Sequence, residues 1–393
     1  MSVGTSQVSC CVAGGGPAGM MLGLLLARAG VRVLLQHLHA HELMHELGLL
    51  EELLRLPHQE LSRLVAQVGD VALPIADFSR VPTRCKFIAI MPQWDFLDFL
   101  ARHAARYAGF QLEMRAEATG LIEEGGRVTG VRGEASRGPF EVRADLVVAA
   151  DGRGSVLRDR AGLEVEDLGA PMDVLWFRLS RAPGDSTDTM GRFDVGRIFV
   201  LINRGDHWQC GYVIPKGSAE EVRRRGLEAF RAGVMARVPF AADRVAEIRS
   251  WDDVKLLTVK VDRLRRWYRP GLLCIGDAAH AMSPVGGVGI NLAIQDAVAA
   301  ANRLASPLRE RRLITEHLRL VQRRREWPTR VTQWLQVIVQ RRVIGATLRR
   351  RDGRLTPPRL MTVLARRGLL TGLPARLVGV GVRPEHVQTR EVA

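Results

Sequence analysis

The chain has 393 residues, 47% of them apolar and 25% charged, a composition that builds a full core and excludes a disordered or fibrous polymer. Its formal charge is +15, and the whole excess lies between Arg303 and Ala393, where 21 arginines and no lysine face 6 acids. That charge stands beside no aromatic platform or nucleic-acid motif, so it reads as a solvated helical surface open to anionic partners, and no nucleic-acid partner is expected.

Five scattered cysteines (Cys10, Cys11, Cys85, Cys210, Cys274) are odd in number and lack metal-ligand spacing. They fit a reducing compartment and no structural zinc. No apolar run approaches the ~18 residues of a membrane span, and no basic leader precedes the first strand, so a cytoplasmic protein is expected.

Gln7 to Ala13 reads as a buried strand, followed by Gly14-Gly15-Gly16-Pro17-Ala18-Gly19 and a helix to about Ala29. This is G-x-G-x-x-G in its proper setting. The first glycine permits the tight turn, the second clears a pyrophosphate and the third lets helix and strand pack closely. Val31 to Leu35 is the next strand, after which a carboxylate is expected to hold an adenosine ribose. Gln36 and His37 stand there instead, and a helix read over Glu42 to Leu54 follows almost at once. Pro92-Gln93-Trp94-Asp95 opens an amphipathic helix whose apolar side carries Phe96, Leu97, Phe99 and Leu100. Leu121 to Glu124 and Arg127 to Arg132 flank a Gly125-Gly126 hairpin turn. Val142 to Ala150 is another apolar strand, ending in Asp151-Gly152-Arg153-Gly154-Ser155-Val156-Leu157-Arg158.

From Met172 to about Val261 the pattern changes to strands separated by turns, interrupted by one helix read over Ala219 to Ala236. Alternation along the strand Trp208 to Ile214 puts Trp208, Cys210 and Tyr212 on one face. Two aromatics there can cover a flat ligand or pack the sheet on the neighbouring helix, and alternation leaves both open. Leu272 to Ile275 is a short buried strand closed by Gly276 and Asp277, with Pro284, Gly286, Gly287 and Gly289 leading into a long alanine-rich helix from about Asn291. A carboxylate at a strand's carboxyl end serves a hydroxyl-rich chain, and glycines before a helix start offer amides to an anionic group. The same glycines also suit plain strand–helix packing. Beyond Leu304 the chain is helical and arginine-rich, and Val331, Trp334, Leu335 and Ile338 recur at helical spacing, which predicts a core-facing side. The arginines near that helix also leave a peripheral contact with an anionic surface open.

GGGPAG at 14–19, DGRGSVLR at 151–158 and GDAAHAMSP…GGVGIN at 276–291 stand in fixed order across residues 7 to 305. Together they resemble the class A flavoprotein monooxygenases of the para-hydroxybenzoate hydroxylase type. The resemblance implies an α/β fold: a Rossmann-type FAD/NAD(P)-binding domain (1–75, 93–168, 262–305), a mixed-sheet substrate domain (76–92, 169–261) and a helical C-terminal region (306–393). It also implies that Gly14, Gly16, Pro17, Ala18 and Gly19 sit against the pyrophosphate of FAD and that Gln93 reaches the ribityl chain. Asp151, Gly152, Ser155 and Arg158 would serve FAD and NAD(P)H, and Gly276 and Asp277 the ribityl hydroxyls. Pro284, Gly287, Gly289, Ile290 and Asn291 would lie beside the isoalloxazine ring, with Pro284 the one candidate at the reacting centre. The implied chemistry is hydride transfer from NAD(P)H to FAD, reaction with O2 to a flavin hydroperoxide, and oxygenation of an apolar or aromatic substrate. His280 and Arg178 are the candidates for a base, against a helix-start hydrogen bond for the first and a surface position for the second. The family's ribose-binding glutamate and its arginine loop have no counterpart around His37. Loss of a charge-assisted contact there costs about 1.5–3 kcal/mol of FAD affinity. A flavin-dependent reductase and a catalytically silent scaffold remain as alternatives.

Overall fold

A computed structural model describes residues 4–35, 41–186, 189–353, 355–357 and 371–392. Gly4–Ala13 runs through the middle of an eight-stranded sheet, parallel to Val33–Leu35 on one side and to Gly138–Ala149 on the other. Leu272–Cys274 lies parallel beside Gly138–Ala149, so three strands that each precede a glycine motif end at the same edge. Cys10, Val12, Leu146 and Val148 are buried on one face and Cys11 and Val147 on the other, as a covered parallel sheet requires. The helices Pro17–Arg28, Gln93–Ala104 and Gly289–Arg309 pack on one another over this core. The meander Ala116–Glu124, Arg127–Ala135 extends from Gly138–Ala149, and its turn needs the positive φ of Gly125 (55°) and Gly126 (76°).

The second sheet has seven strands in the order Lys255–Leu257, Met172–Ser180, His207–Pro215, Arg197–Asn203, Met190–Asp194, Arg63–Val68, Val71–Asp77. Arg63–Val68 therefore belongs here, not to the first domain where a boundary at residue 75 puts it. It pairs in parallel with Met190–Asp194, a contact between distant segments that local hydrophobic pattern does not encode. The helix expected over Ala219 to Ala236 is two, Ala219–Arg224 and Leu227–Met235, because Gly226 adopts φ 87° between them. Gln36 and His37 lie outside the described residues; after them come two short helices, His41–Glu46 and Leu50–Leu54.

The C-terminal helix Thr315–Val339 reverses the expected orientation. Trp334 is 62% exposed, whereas the inward face carries Gln322, Arg325, Thr329, Gln333 and Gln336. A polar face is buried here because it covers backbone rather than side chains. Gln322 accepts from the Trp267 N–H (3.0 Å) and donates to the Arg265 carbonyl (3.0 Å). Gln333 donates to the Asp262 carbonyl (2.8 Å), and Gln336 to the carbonyls of Ser283 (3.1 Å) and Val285 (2.9 Å). Buried peptide groups need partners, and these glutamines supply them along 262–285.

Four of the five cysteines are buried. Burial pushes the thiols of Cys11 and Cys210 up to about 12, and those of Cys10 and Cys274 rise as well. Thiolate is the reactive form, so iodoacetamide at neutral pH is expected to modify the native chain only at half-buried Cys85, read by peptide mass. Rapid labelling of Cys274 would contradict the packing described.

Candidate functional site

The three glycine motifs meet. Gly14 has φ 116°, and a Cβ there would lie 2.2 Å from the Ala150 carbonyl carbon and 2.3 Å from the Asp151 nitrogen, so the first loop rests directly on the second. Gly276, at φ 59°, sits where a Cβ would come within 3.1 Å of the Cβ atoms of both Ala18 and Ala293. Loop three is thereby fitted between the first helix and Gly289–Arg309. Pro17 opens the first helix with its φ already suited to the turn, and Ala18 and Gly19 are buried beneath it.

In the second motif the polar side chains face inward. Asp151 accepts from Ser155 Oγ (2.5 Å) and the Leu157 N–H (3.3 Å), and Ser155 Oγ caps the short helix by accepting from the Arg158 N–H (3.1 Å). Arg158 is buried and reaches Asp262 (3.3 Å) and the carbonyls of Ala278 (3.4 Å) and Arg153 (2.9 Å). Ser155 and Arg158, expected as direct contacts, thus shape the turn Gly152–Gly154 from behind. The charged side chain of this motif that reaches the next loop is half-buried Arg153. Its Nη2 lies 3.2 Å from the Asp277 carboxylate, joining the second motif to the third. Asp277 is part-exposed at the strand end, and burial raises its pKa against the opposing pull of Arg153 and His280.

Behind Asp277 lies a buried charge network. Asp296 on the helix Gly289–Arg309 accepts from the Gly276 N–H (3.0 Å), His280 Nε2 (2.5 Å) and Arg325 Nε (3.0 Å). Burial alone would push its carboxyl up; His280 and Arg325 outweigh that and hold it below the usual carboxylate range. His280 is 1% exposed with its ring on Trp267 at 4.9 Å between centroids, so it is a structural partner, out of reach of a substrate. Arg178 is exposed and paired with Asp206 (2.9 Å). Neither has the position of a base.

The loop Pro284–Val288 presents exposed Gly286 and Gly287, with φ of 79° and 64°, before the helix starts at Gly289. The first-turn amides of that helix have no intrahelical acceptor and carry the positive end of its dipole. Ile290 is 40% exposed, but the Asn291 side chain turns away and donates to the Val378 carbonyl (3.1 Å) of the helix Gly372–Gly379. Gln93 is exposed at the start of its helix. A hollow of about 390 Å³ lies elsewhere, but one of about 570 Å³ opens beside Gly15, lined by Trp94, Met114 and Arg115.

Trp208, Cys210 and Tyr212 do not cover a ligand. Trp208 and Cys210 are 0% exposed, and all three pack with Phe230 and Val234 in a cluster on the outer side of the second sheet. Alternation separates two faces without saying which one the helix Leu227–Met235 covers. The opposite face carries Trp176, Val200 and Gly211, which share a register row. The Trp176 ring lies over Gly211, where a Cβ would meet it at 3.0 Å. Val285, next to Pro284, belongs to the same apolar cluster as Trp176 and Val200. On that face Gln209 accepts from Arg204 (2.6 Å), whose Nη1 reaches the Met91 carbonyl (3.4 Å) just before the Gln93 helix. No motif marks Trp176, Arg204 or Asp296 in the sequence; only a strand register and a helix phase would have found them.

This donor set fits FAD: glycine backbones without Cβ atoms for the pyrophosphate, a part-exposed carboxylate for the ribityl hydroxyls, and a helix start for the ring. Comparison with known proteins agrees. The FAD binding domain family matches residues 7–335. The 6-methylpretetramide 4-monooxygenase of Streptomyces rimosus is 35% identical over 357 residues, 86% of this chain and 85% of that one. Two solved structures share the fold. The p-nitrophenol 4-monooxygenase PnpA of Pseudomonas putida DLL-E4 superposes with TM-score 0.73 at 18% identity, covering 97% of this chain and all of the other (100%). PqsL of Pseudomonas aeruginosa, in complex with 2-aminobenzoylacetate, gives 0.70 at 22%, covering 88% and 97%. With its converging loops and a family match over most of its length, the chain belongs to the class A FAD-dependent monooxygenases.

Proposed function

We propose that this chain takes reducing equivalents from NAD(P)H and hydroxylates an apolar aromatic small molecule lying against the Trp176 face of the second sheet. The observation that carries the reading is the single apolar cluster joining Val285, in the third glycine loop, to Trp176 and Val200. It brings an apolar surface to the loop expected beside the flavin ring. The relative named for monooxygenation of 6-methylpretetramide supports an aromatic substrate. Bound FAD, once reduced, supplies the activation of O2, with one oxygen atom passing to the substrate and the other to water.

The chain's own residues bind, orient and exclude water. Asp277 accepts hydroxyl hydrogen bonds, and Arg153 offsets part of the burial that raises the pKa of this carboxyl. The first-turn amides at Gly289–Asn291 stabilise negative charge on a reduced ring. Trp176 and Val200 would hold an aromatic ring and keep water out of the site. Pro284 shapes the loop; no side chain here serves as a nucleophile.

The test is oxygen uptake by the FAD-loaded protein. NAD(P)H oxidation coupled to O2 uptake and to a hydroxylated product, only with an aromatic substrate present, is expected. A protein that takes up no FAD, or that reduces its substrate without consuming O2, overturns the reading. For the same assay, Trp176→Leu is expected to raise KM roughly three- to tenfold with kcat little changed, the size of one aromatic contact. Cys210→Ala, on the opposite face, is expected to leave KM alone and lower Tm by about 1 °C, through lost packing of about 1 kcal/mol.

A further inference from the structure

The helix Thr315–Val339 buries its glutamines and leaves its aromatic side in water. Arg319, Arg323, Trp327, Arg330 and Trp334 follow one another at steps of three or four residues, so they form one outward stripe. The stripe is about 22 Å long at 1.5 Å per residue. Trp327 is 56% exposed and Trp334 62%, and the stripe continues into half-buried Ile338, four residues beyond Trp334. At its start the stripe borders a groove of about 390 Å³ shared with Arg265, Arg266 and Tyr268. Arg266 and Arg323 have no carboxylate partner among the described residues, although Arg265, Arg319 and Arg330 pair with Glu164, Glu316 and Glu326. Arg266 lies over the Tyr268 ring at 5.9 Å.

We propose that this face docks the protein on an anionic lipid surface, with the Arg266–Arg323 groove taking headgroup phosphates and Trp327 and Trp334 lying at the headgroup level. The occupant follows from the mixture of side chains. A second copy of the chain would set arginine against arginine across a two-fold axis. A small anion fills the groove but leaves Trp334 and Ile338 unexplained. A nucleic-acid backbone matches the arginines and leaves the aliphatic Ile338 against phosphate. The headgroup–acyl boundary takes both kinds: guanidinium on phosphate, indole at the interface, aliphatic tip below it. No described helix is long and apolar enough to cross a membrane, so the contact is peripheral. The inference is independent of the catalytic reading, since the stripe lies on a different helix face from the Asp296 network.

The full chain, loaded with FAD, is to be sedimented with vesicles of phosphatidylcholine alone and with about one third phosphatidylglycerol. Binding to the anionic vesicles at least roughly tenfold stronger than to the neutral ones is expected. Arg266→Ser/Arg323→Ser is expected to reduce that partition by about tenfold or more, and Trp327→Ser/Trp334→Ser by about tenfold. All these side chains are surface groups, and an unchanged thermal melt confirms that each variant folds. Acyl-brominated lipid is expected to quench the wild-type tryptophan fluorescence, with the quenching lost in the tryptophan variant. Equal binding to both vesicle types, or tryptophan variants that partition like wild type, overturns the proposal. So does tighter binding to duplex DNA or to an acidic protein than to the anionic vesicles, which assigns the face to that partner instead.

Discussion

Arg325→Met is expected to destabilise the fold by about 3–5 kcal/mol, the usual cost of removing one partner from a buried ion pair. Arg325 and Asp296 are both 0% exposed and are joined at 3.0 Å. Without the guanidinium, Asp296 keeps the Gly276 N–H and His280, while Glu385 loses its buried contact to Arg325 (3.3 Å). His280 can share the charge, so the lower half of that range is expected. Denaturant unfolding measures the loss, and Asp296→Asn/Arg325→Met, with both charges gone, should recover part of it. A loss below about 1 kcal/mol would mean that the helix Thr315–Val339 does not clamp the Gly276 loop. The pair also sets a pH dependence. Because the folded carboxyl of Asp296 is held below its ordinary value, its contribution is complete above the unfolded carboxylate pKa of about 3.9 and is lost as pH falls through the lower folded value. Removing the carboxylate in Asp296→Asn should therefore flatten the decline of Tm in acid.

The sequence showed the cofactor half of the molecule more clearly than the substrate half, for reasons that lie in particular residues. Glycines with positive φ before a helix have few other uses, so Gly14, Gly276 and their neighbours announced converging loops. The second sheet was harder. Both faces of His207–Pro215 and its neighbours carry aromatics, Trp208 and Tyr212 on one side and Trp176 on the other. Only the position of the helix Leu227–Met235 decides which side is closed. The C-terminal helix misled because its apolar residues have helical spacing and its glutamines look like surface residues. The inversion follows from what the helix covers, a stretch of backbone at 262–285 whose peptide groups need donors and acceptors. Nothing in the spacing of Gln322, Gln333 and Gln336 reveals that partner. The position of Arg153 is also tertiary: it lies 124 residues from Asp277 in the chain and 3.2 Å from it in space.

Asp277→Ala is expected to weaken FAD binding by roughly ten- to a hundredfold, the equivalent of about 1.5–3 kcal/mol for a lost charge-assisted hydrogen bond. The carboxylate stands at the carboxyl end of its strand, where Gly276 and Ala279 hold the backbone turn and Arg153 approaches from the second motif. Asp277→Asn keeps the shape and accepts with a neutral oxygen, so it should lose about half as much in free energy. Arg153→Ser serves as the control. Its ion pair with Asp277 is part-exposed, such pairs contribute at most about 1 kcal/mol, and the change should shift FAD affinity by no more than about fivefold. Because the cofactor binds the folded state only, the same order should appear in the rise of Tm on adding FAD. Titration of the apo-protein by flavin fluorescence, with Tm as the second reading, separates the outcomes. If Asp277→Ala binds FAD as wild type does while its unliganded Tm is unchanged, the ribityl chain does not lie on this carboxylate. A variant that instead loses unliganded Tm along with affinity would place Asp277 in the turn's own structure.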